Sequence, residues 1–362
     1  MQRPMTCSLG AALAVAAGCS SELAPELPEA TATAISYSEL EVAALRDRAA
    51  DELVRLSEDA AAQIRANSLE ALGRGAPERV RPLIEPALTD SNEGVRAVAA
   101  IVAGRVGHRN AIPRLRGLLD EESVWVQMSA IFALWDLGEE VDPTPLARAL
   151  MSGPPRQRAQ AAFLLGEMGN ASALPMLSAA ASRTIPLANA NEVRMFELQV
   201  DQARVKLGQP EYVQPIRAAL YPTRPEELEL TVLAVQLIGE LGDHGAAGEL
   251  INLTARLDGA GNEMPAEVQI AAAGALAKLG NTRGEFLILD HLDSKIAPIR
   301  AQAAWALGEI GAPGNLPRLE ELLTDESTLV RVHAAGAILR LTPHRNAPVA
   351  AEVAETASGQ TP

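Results

Sequence analysis

The stretch IRAQAAWALGEIG, Ile299–Gly311, has the pattern of an amphipathic helix that ends on a glycine. Its apolar residues recur at steps of three and four, which places them on one helix face: Ile299, Ala303, Ala306 and Ile310. Glycine commonly ends a helix because it adopts the left-handed backbone conformation without strain. Similar segments recur as VRAVAAIVAGRVG at Val95–Gly107 and VRVHAAGAILRLT at Val330–Thr342. The sequence therefore predicts a chain that repeats one helical unit.

The residue that opens this helix, called the anchor, recurs along the whole chain. The anchors are Ile64, Val95, Val126, Gln157, Phe196, Leu230, Val268, Ile299 and Val330. Successive anchors lie 31, 31, 31, 39, 34, 38, 31 and 31 residues apart. A period of this length is typical of stacked helical hairpins, in which each unit packs on its neighbours. Positions within a repeat are counted from its anchor.

A longer motif connects the copies. It reads LLDEESVWVQMSAIFALWDLG at Leu118–Gly138, PRQRAQAAFLLGEMG at Pro155–Gly169 and LLTDESTLVRVHAAGAILRL at Leu322–Leu341. These segments resemble HEAT repeats, in particular the short repeats also seen in phycobilin lyases. The resemblance implies an all-α solenoid, a right-handed superhelix of about nine HEAT-like helical hairpins over residues 37–342. At about 10 Å per hairpin, we expect an elongated body on the order of 90 Å long, whose polar first helix caps one end.

Residues 1–18 have the pattern of a secretory signal peptide. The apolar run LGAALAVAAG, Leu9–Gly18, is too short to span a bilayer and ends in small residues before Cys19. This segment resembles a bacterial lipobox, which implies cleavage before Cys19, a diacylglycerol anchor on its thiol and, in a two-membrane bacterium, sorting to the outer membrane. An ordinary cleaved signal or a short anchor is the alternative. Residues 19–36 are predicted to form a flexible tether, and residues 343–362 a disordered tail.

Charge and motif content argue against several classes of function. The net charge of −15 opposes binding to nucleic-acid phosphates, and the charges at position ten alternate in sign, so that they form no continuous basic track. None of the five histidines has the spacing of a zinc-binding helix, and no phosphate-binding loop or nucleophile motif occurs. We therefore expect no catalytic residue, no metal and no cofactor.

Three repeats carry extra residues between their first and second helices. The extra segments are Arg183–Asn191, Tyr221–Glu227 and Leu257–Pro265, in repeats five, six and seven. Insertions on one edge of a solenoid often form its binding face, whereas neutral drift of loop length is the alternative. The candidate partner-binding residues in these segments are Arg183, Asn189, Tyr221, Arg224, Asp258 and Asn262.

Four of the ten aromatic residues fall in repeats three and four: Trp125, Phe132, Trp135 and Phe163. They predict either an exposed aromatic patch that binds a partner or local filling of the core. Trp135 is unusual because other repeats have glycine at its position, for example Gly104, Gly166, Gly239 and Gly308.

A recurring arginine follows the anchor in five repeats: Arg65, Arg96, Arg158, Arg300 and Arg331. This row could bind anions, but aspartates recur in the preceding turns, for example Asp90 and Asp325. An Asp–Arg seam that ties one repeat to the next is therefore the favoured interpretation.

The sequence as a whole predicts a non-catalytic, lipid-anchored scaffold or adaptor of the cell envelope with unknown protein partners. A bilin lyase or isomerase and a module that binds cell-wall glycans are the alternatives.

Overall fold

The computed structural model describes residues 37–185, 188–221, 227–255, 257 and 261–343. Within these residues the regular structure is helical, apart from one isolated bridge between Leu257 and Glu263. The all-α prediction is confirmed. No helix in these ranges combines the length and the apolarity needed to cross a bilayer. The predicted lipid site, Cys19, and the loop residues Arg224 and Asp258 lie outside the described residues.

Each repeat contains two helices, as the period predicts. The first helices are α1 (Glu39–Leu56), α3 (Pro77–Ala87), α5 (Ile112–Gly117), α7 (Thr144–Ser152), α9 (Leu174–Ala181), α11 (Val213–Ala218), α13 (Ala247–Leu253), α15 (Glu285–His291) and α17 (Leu316–Leu322). The second helices are α2 (Ala62–Gly75), α4 (Glu93–Arg105), α6 (Val124–Asp136), α8 (Pro155–Glu167), α10 (Ala190–Lys206), α12 (Leu228–Leu241), α14 (Ala266–Lys278), α16 (Ala297–Ile310) and α18 (Thr328–Leu341). Each anchor lies near the start of a second helix, and every anchor except Gln157 is buried.

The second helices form a closed ring. Each of them packs on the second helices of the two adjacent repeats, and α18, the last, packs on α2, the first. The first helices form an outer layer, in which α1 lies against α18 as well as α2. The prediction of an elongated body with a polar cap on α1 is therefore wrong for the repeat array. A small rotation at every repeat accumulates along a solenoid, and nine steps of about 40° complete a circle.

Specific contacts join repeat nine to repeat one. The buried Arg46 guanidinium donates to the carbonyl oxygens of Leu339, at 3.2 Å, and of Thr342 and Gly75. The Arg331 Nε donates to Glu52 Oε1 at 2.9 Å. One apolar cluster runs through the junction and contains buried residues of repeats one to three and of repeats seven to nine. The junction is thus packed like the rest of the array.

The ring encloses a narrow lumen. At 8–10 Å between neighbouring helix axes, nine helices define a circle about 25 Å across, which leaves about 15 Å between facing helix surfaces. Arg105 of repeat two reaches Glu167 of repeat four at 3.4 Å, past the intervening repeat. Such a contact requires both side chains to lie on the inside of a tight curve. We call this inner surface the lumenal face; positions −1, 3, 6 and 10 point to it because they follow one another at steps of three and four.

Glycine at position nine sets the spacing between second helices. A Cβ atom built on Gly104 would lie 2.9 Å from the Cα of Ala133, and the same distance separates a Cβ on Gly166 from the Cα of Ala203. Because these glycines have no side chain, the backbone of the next second helix can pack directly against the backbone of their own helix. Residues larger than glycine stand at this position in α6, α10, α14 and α18, namely Trp135, Val205, Ala277 and Leu339. The pairs α6–α8 and α10–α12 pack less extensively than the other neighbours in the ring, which widens the ring on both sides of the α8–α10 pair.

Candidate functional site

A cavity of about 670 Å³ opens on the lumenal face of repeats three to six. Trp125 of α6, Phe163 of α8 and Met195 of α10 supply its apolar wall. Gln160, Asn189 and Gln199 supply amide groups, and Glu229 lies on the α12 side. The cavity lies where the two wide gaps leave the second helices apart. It combines the apolar surface and the few polar groups that are typical of a binding site.

An extra helical turn builds one wall of the cavity. Helix α10 begins six residues before its anchor, Phe196, whereas every other second helix begins two residues before its anchor. The Asn189 side chain caps this turn by accepting a hydrogen bond from the Asn191 backbone N–H at 2.8 Å. Glu192, on the same turn, accepts a hydrogen bond from Arg156 Nε of α8 at 2.8 Å. Part of the repeat-five insertion is therefore helix that shapes the site.

Buried polar atoms without a hydrogen-bond partner concentrate in the same repeats. Within the described part of the chain, five of the seven such side-chain atoms belong to repeats four and five: Arg158 Nη1, Gln199 Oε1, Gln202 Oε1, Arg204 Nε and Gln209 Oε1. An unsatisfied buried polar group costs about 1–3 kcal/mol. Gln199 lines the cavity with its side chain, and its Oε1 is buried there without a partner.

Repeat five also buries an ion pair in its core. Asp201 and Arg204 occupy positions five and eight, where the other repeats carry apolar residues, and the two side chains are 3.2 Å apart. Burial raises the pKa of Asp201 to about 6, although Arg204 opposes the shift. The Arg204 guanidinium also stacks over the Tyr212 ring, 4.2 Å from its centroid. The interior of this repeat is therefore more polar than that of its neighbours.

Outside the cavity, the charges of the lumenal face pair with one another. Glu309 forms ion pairs with Lys278 at 3.7 Å and with Arg340 at 3.8 Å, and both cations lie over the Trp305 ring. Burial, together with the nearby Arg340 cation, lowers the pKa of His333 to about 4, so the imidazole is neutral at pH 7. Arg340 Nη2 also donates to Trp305 O at 2.9 Å, whereas its Nε has no hydrogen-bond partner.

The structure divides the predicted aromatic patch. Phe132 is buried beneath Arg105, so the core-filling interpretation is correct for it. Trp125 and Phe163 are half-buried and line the cavity. Trp135 is 41% exposed and does not line it. The sequence missed Met195, Gln160 and Gln199, although all three lie at positions −1 or 3 and the helical spacing could have shown that they share the lumenal face.

The three insertions lie between first and second helices, as predicted. Asn189 lines the cavity and the exposed Arg183 lies in the same insertion. Tyr221 is 60% exposed and Asn262 is also exposed, and neither contributes to the cavity. Of the candidate residues that the structure describes in these insertions, Asn189 is therefore the one that lines this site.

Four of the five arginines form a seam with carboxylates, and two of them, Arg65 and Arg300, pair with aspartate as predicted. Arg65 pairs with Asp90 at 2.7 Å, Arg96 with Glu121 at 2.8 Å and Arg300 with Asp325 at 2.9 Å. Arg331 pairs with Glu52 and continues the seam across the ring junction. Arg158 has no acidic partner within the described residues. No group of three His, Cys, Asp or Glu side chains there is placed to hold a metal ion.

Comparison with known families identifies the repeat type in part of the ring. The sequence profile of HEAT repeats matches residues 50–135 and 253–340, together just under half of the chain. These ranges cover repeats one to three and seven to nine, the same repeats that share the apolar cluster at the ring junction. The protein is therefore an α-solenoid that contains HEAT repeats. A comparison with curated protein sequences gives no match.

Solved structures of similar type share low identity with this chain. The complex of CpcE and CpcF of phycocyanin lyase from Nostoc sp. PCC7120 has a TM-score of 0.41 and 17% identity, and the match covers 71% of this chain and 92% of that one. Human deoxyhypusine hydroxylase in complex with glycerol has a TM-score of 0.33 and 18% identity, over 84% and 99% of the two chains. An engineered protein has a TM-score of 0.33 and 19% identity, over 84% and 96%.

Proposed function

We propose that this protein is a non-catalytic binding protein of the bacterial cell envelope, tethered by a lipid on Cys19, and that its lumenal cavity receives a segment of a protein partner. The ring would act as a scaffold or adaptor, and the tether of residues 19–36 would hold it near the membrane. HEAT repeats support the scaffold part of this proposal. The signal-like segment and Cys19 support the membrane part.

The observation that carries the binding role is the cavity itself. Its apolar wall, Trp125, Phe163 and Met195, adjoins amide groups and an acceptor on Gln199 that has no partner. A polypeptide segment offers both an apolar side chain and backbone N–H donors, which match these groups. A preformed apolar site with a few polar groups binds a ligand without the entropy cost of ordering its own walls.

Site-specific photo-crosslinking in intact cells tests the assignment. A photoreactive amino acid replaces Ala159, which lines the cavity at position two of repeat four. The matched control replaces Ala97, which is also half-buried and holds position two of repeat two. We expect one defined adduct from Ala159, lost when Trp125→Ala is added, and none from Ala97. Equal adducts from both positions, or an adduct that survives Trp125→Ala, would refute the cavity as the binding site.

Lipid labelling tests the tether separately. Cells fed an alkyne-bearing palmitate should label the wild-type chain, and Cys19→Ala should remove the label and release the protein from membranes. Label that persists in Cys19→Ala contradicts lipidation at this residue.

A glycan-binding module is the second candidate, because Trp125 lies beside the amides of Gln160, Asn189 and Gln199. Aromatic faces with neighbouring amides can stack on sugar rings and bond their hydroxyl groups. Quenching of tryptophan fluorescence by soluble cell-wall oligosaccharides, lost in Trp125→Phe with Gln160→Ala, would favour this candidate over a polypeptide. An unchanged spectrum would exclude it.

A further inference from the structure

The Arg158 guanidinium is buried without the carboxylate that its counterparts have. Arg65 and Arg300 both use Nε and Nη2 to grip an aspartate of the next repeat, Asp90 or Asp325, and use Nη1 to bond backbone carbonyls of their own turn. Arg158 is 7% exposed, its Nε donates to Gly153 O at 2.7 Å, and its Nη1 has no partner. An unpaired buried cation is costly unless an anion reaches it.

A second arginine stands near the position of the missing carboxylate. Arg183 Nη1 donates to Met151 O at 3.3 Å, so both guanidinium groups are anchored on the turn between α7 and α8. Burial lowers the pKa of Arg158, and the Arg183 charge lowers it further. Among residues 182–191 no aspartate or glutamate occurs. Two cations thus converge at a place where every other copy of the seam neutralises the charge.

We propose that Arg158 and Arg183 form a binding site for a carboxylate on the polypeptide partner. The four complete copies of the seam argue for this chemistry, since each holds an Asp or Glu side chain against the Nε of its arginine. Arg158 Nε is bonded to Gly153 O instead, so Nη1 and Nη2 are the atoms left to meet a carboxylate. A planar carboxylate matches a guanidinium fork, and the exposed Arg183 side chain marks the side from which it enters. The source of the carboxylate rests on the proposed function, but the site itself does not, because it faces the joint between repeats four and five and lies outside the cavity lining.

Side-chain NMR on the full chain tests the proposal. The Arg158 Nε–Hε signal, assigned with Arg158→Lys, is followed during titration with N-acetyl-aspartic acid N-methylamide. The capped asparagine analogue and inorganic phosphate are titrated in parallel. We expect saturable shifts with the aspartate probe in the millimolar range, none with the asparagine probe, and at least about tenfold weaker binding in Arg183→Ala. Phosphate that binds more tightly than the aspartate probe would overturn the carboxylate assignment.

Thermal unfolding supplies an independent readout. Arg158→Leu removes an unpaired cation and should raise the Tm, whereas the matched change Arg300→Leu breaks a complete pair and should lower it. Equal losses of Tm in the two variants would show that Arg158 is already satisfied, and the proposal would fail. If Arg158→Leu does not fold, the affinity of Arg183→Ala for the aspartate probe remains the test. An affinity equal to that of the wild type would reject the proposal.

Discussion

The ring contains two arcs that differ in how they are built. The regular arc, repeats one to three and seven to nine, shares one apolar cluster, and its arginines pair with carboxylates in an unbroken seam through the junction. The irregular arc, repeats four to six, supplies all of the cavity lining except Trp125, and it contains the unpaired Arg158 and most of the unsatisfied polar atoms in the described part of the chain. The HEAT profile matches the regular arc alone. The regular repeats thus close the ring, and the departures from regularity coincide with the cavity and with the unsatisfied polar atoms.

The largest expected effect lies at the junction of the regular arc. Arg46→Ala removes a buried cation that donates to three backbone carbonyls and leaves them without that donor. We expect a loss of about 3–5 kcal/mol in the free energy of unfolding. Arg48→Ala is the control, because its exposed pair with Glu320 is worth at most about 1 kcal/mol. Urea denaturation of both variants decides, and similar losses would show that the junction is not a tight interface.

A second variant tests the spacing of the second helices. Gly166→Ala places a Cβ 2.9 Å from the Cα of Ala203, which is backbone and cannot move aside alone. We expect a loss of about 1–3 kcal/mol from overpacking. Gly248→Ala, in α13, meets nothing within 4 Å and should be neutral or stabilise by a few tenths to about 1 kcal/mol. If Gly166→Ala is as well tolerated as Gly248→Ala, glycine does not set the spacing.

The ion pair of repeat five predicts an unusual pH dependence. The pKa of Asp201 is raised to about 6 in the folded chain, above its ordinary value of 3.8, so the folded state holds this proton more tightly. Its contribution to stability is present below about pH 4 and is lost as the pH rises through about 6. A two-unit shift corresponds to at most about 3 kcal/mol. Urea unfolding should therefore show that the free energy of unfolding of the wild type, relative to that of Asp201→Asn, falls as the pH rises through about 6. A difference between the two proteins that is independent of pH would contradict the assignment.

Replacing Asp201 and Arg204 by the apolar residues of repeat four tests how the polar interior of repeat five differs in stability from an apolar one. The double variant Asp201→Ala with Arg204→Leu copies Ala162 and Leu165 of the preceding repeat. We expect a neutral effect or a gain of about 1–4 kcal/mol, because apolar packing often replaces a buried ion pair without loss. Asp201→Ala alone should destabilise, since Arg204 then stays buried without its carboxylate. Calorimetry should show that the double variant unfolds at a higher Tm than Asp201→Ala alone. A higher Tm for the single variant would contradict this prediction.

The variant with the smallest expected effect on stability is Trp135→Gly, which should nevertheless change the shape of the irregular arc. Trp135→Gly introduces the residue found at position nine in five other repeats and should let α8 approach α6. We expect a change of about 1 kcal/mol or less in stability together with a smaller cavity. Crosslinking from Ala159 should then weaken. Unchanged crosslinking would show that Trp135 does not hold this gap open.

The sequence predicted what depends on local periodicity. The anchors, the helical hairpins and the insertion sites follow from spacings within one repeat, and all are confirmed. Closure was not predicted, because it depends on the sum of small rotations that close contacts such as Gly104 with Ala133 set between repeats. The cavity was predicted only in part: Trp125, Phe163 and Asn189 were named, but the extra turn of α10 was taken for loop. Arg158 belonged to a predicted seam, and only the structure shows that its carboxylate is missing.

The central claim is that repeat nine packs directly on repeat one. A Cβ built on Gly336 would lie 3.2 Å from the Cβ of Ala71, close to the spacing of a disulfide. The variant Ala71→Cys with Gly336→Cys, in a Cys19→Ala background, should form an intramolecular disulfide rapidly on oxidation, seen as a mobility shift that reductant reverses. Ala71→Cys with Gly274→Cys, which carries the second cysteine at the same repeat position in repeat seven, should form none. An open chain would give no intramolecular disulfide in either variant, and that result would contradict the ring.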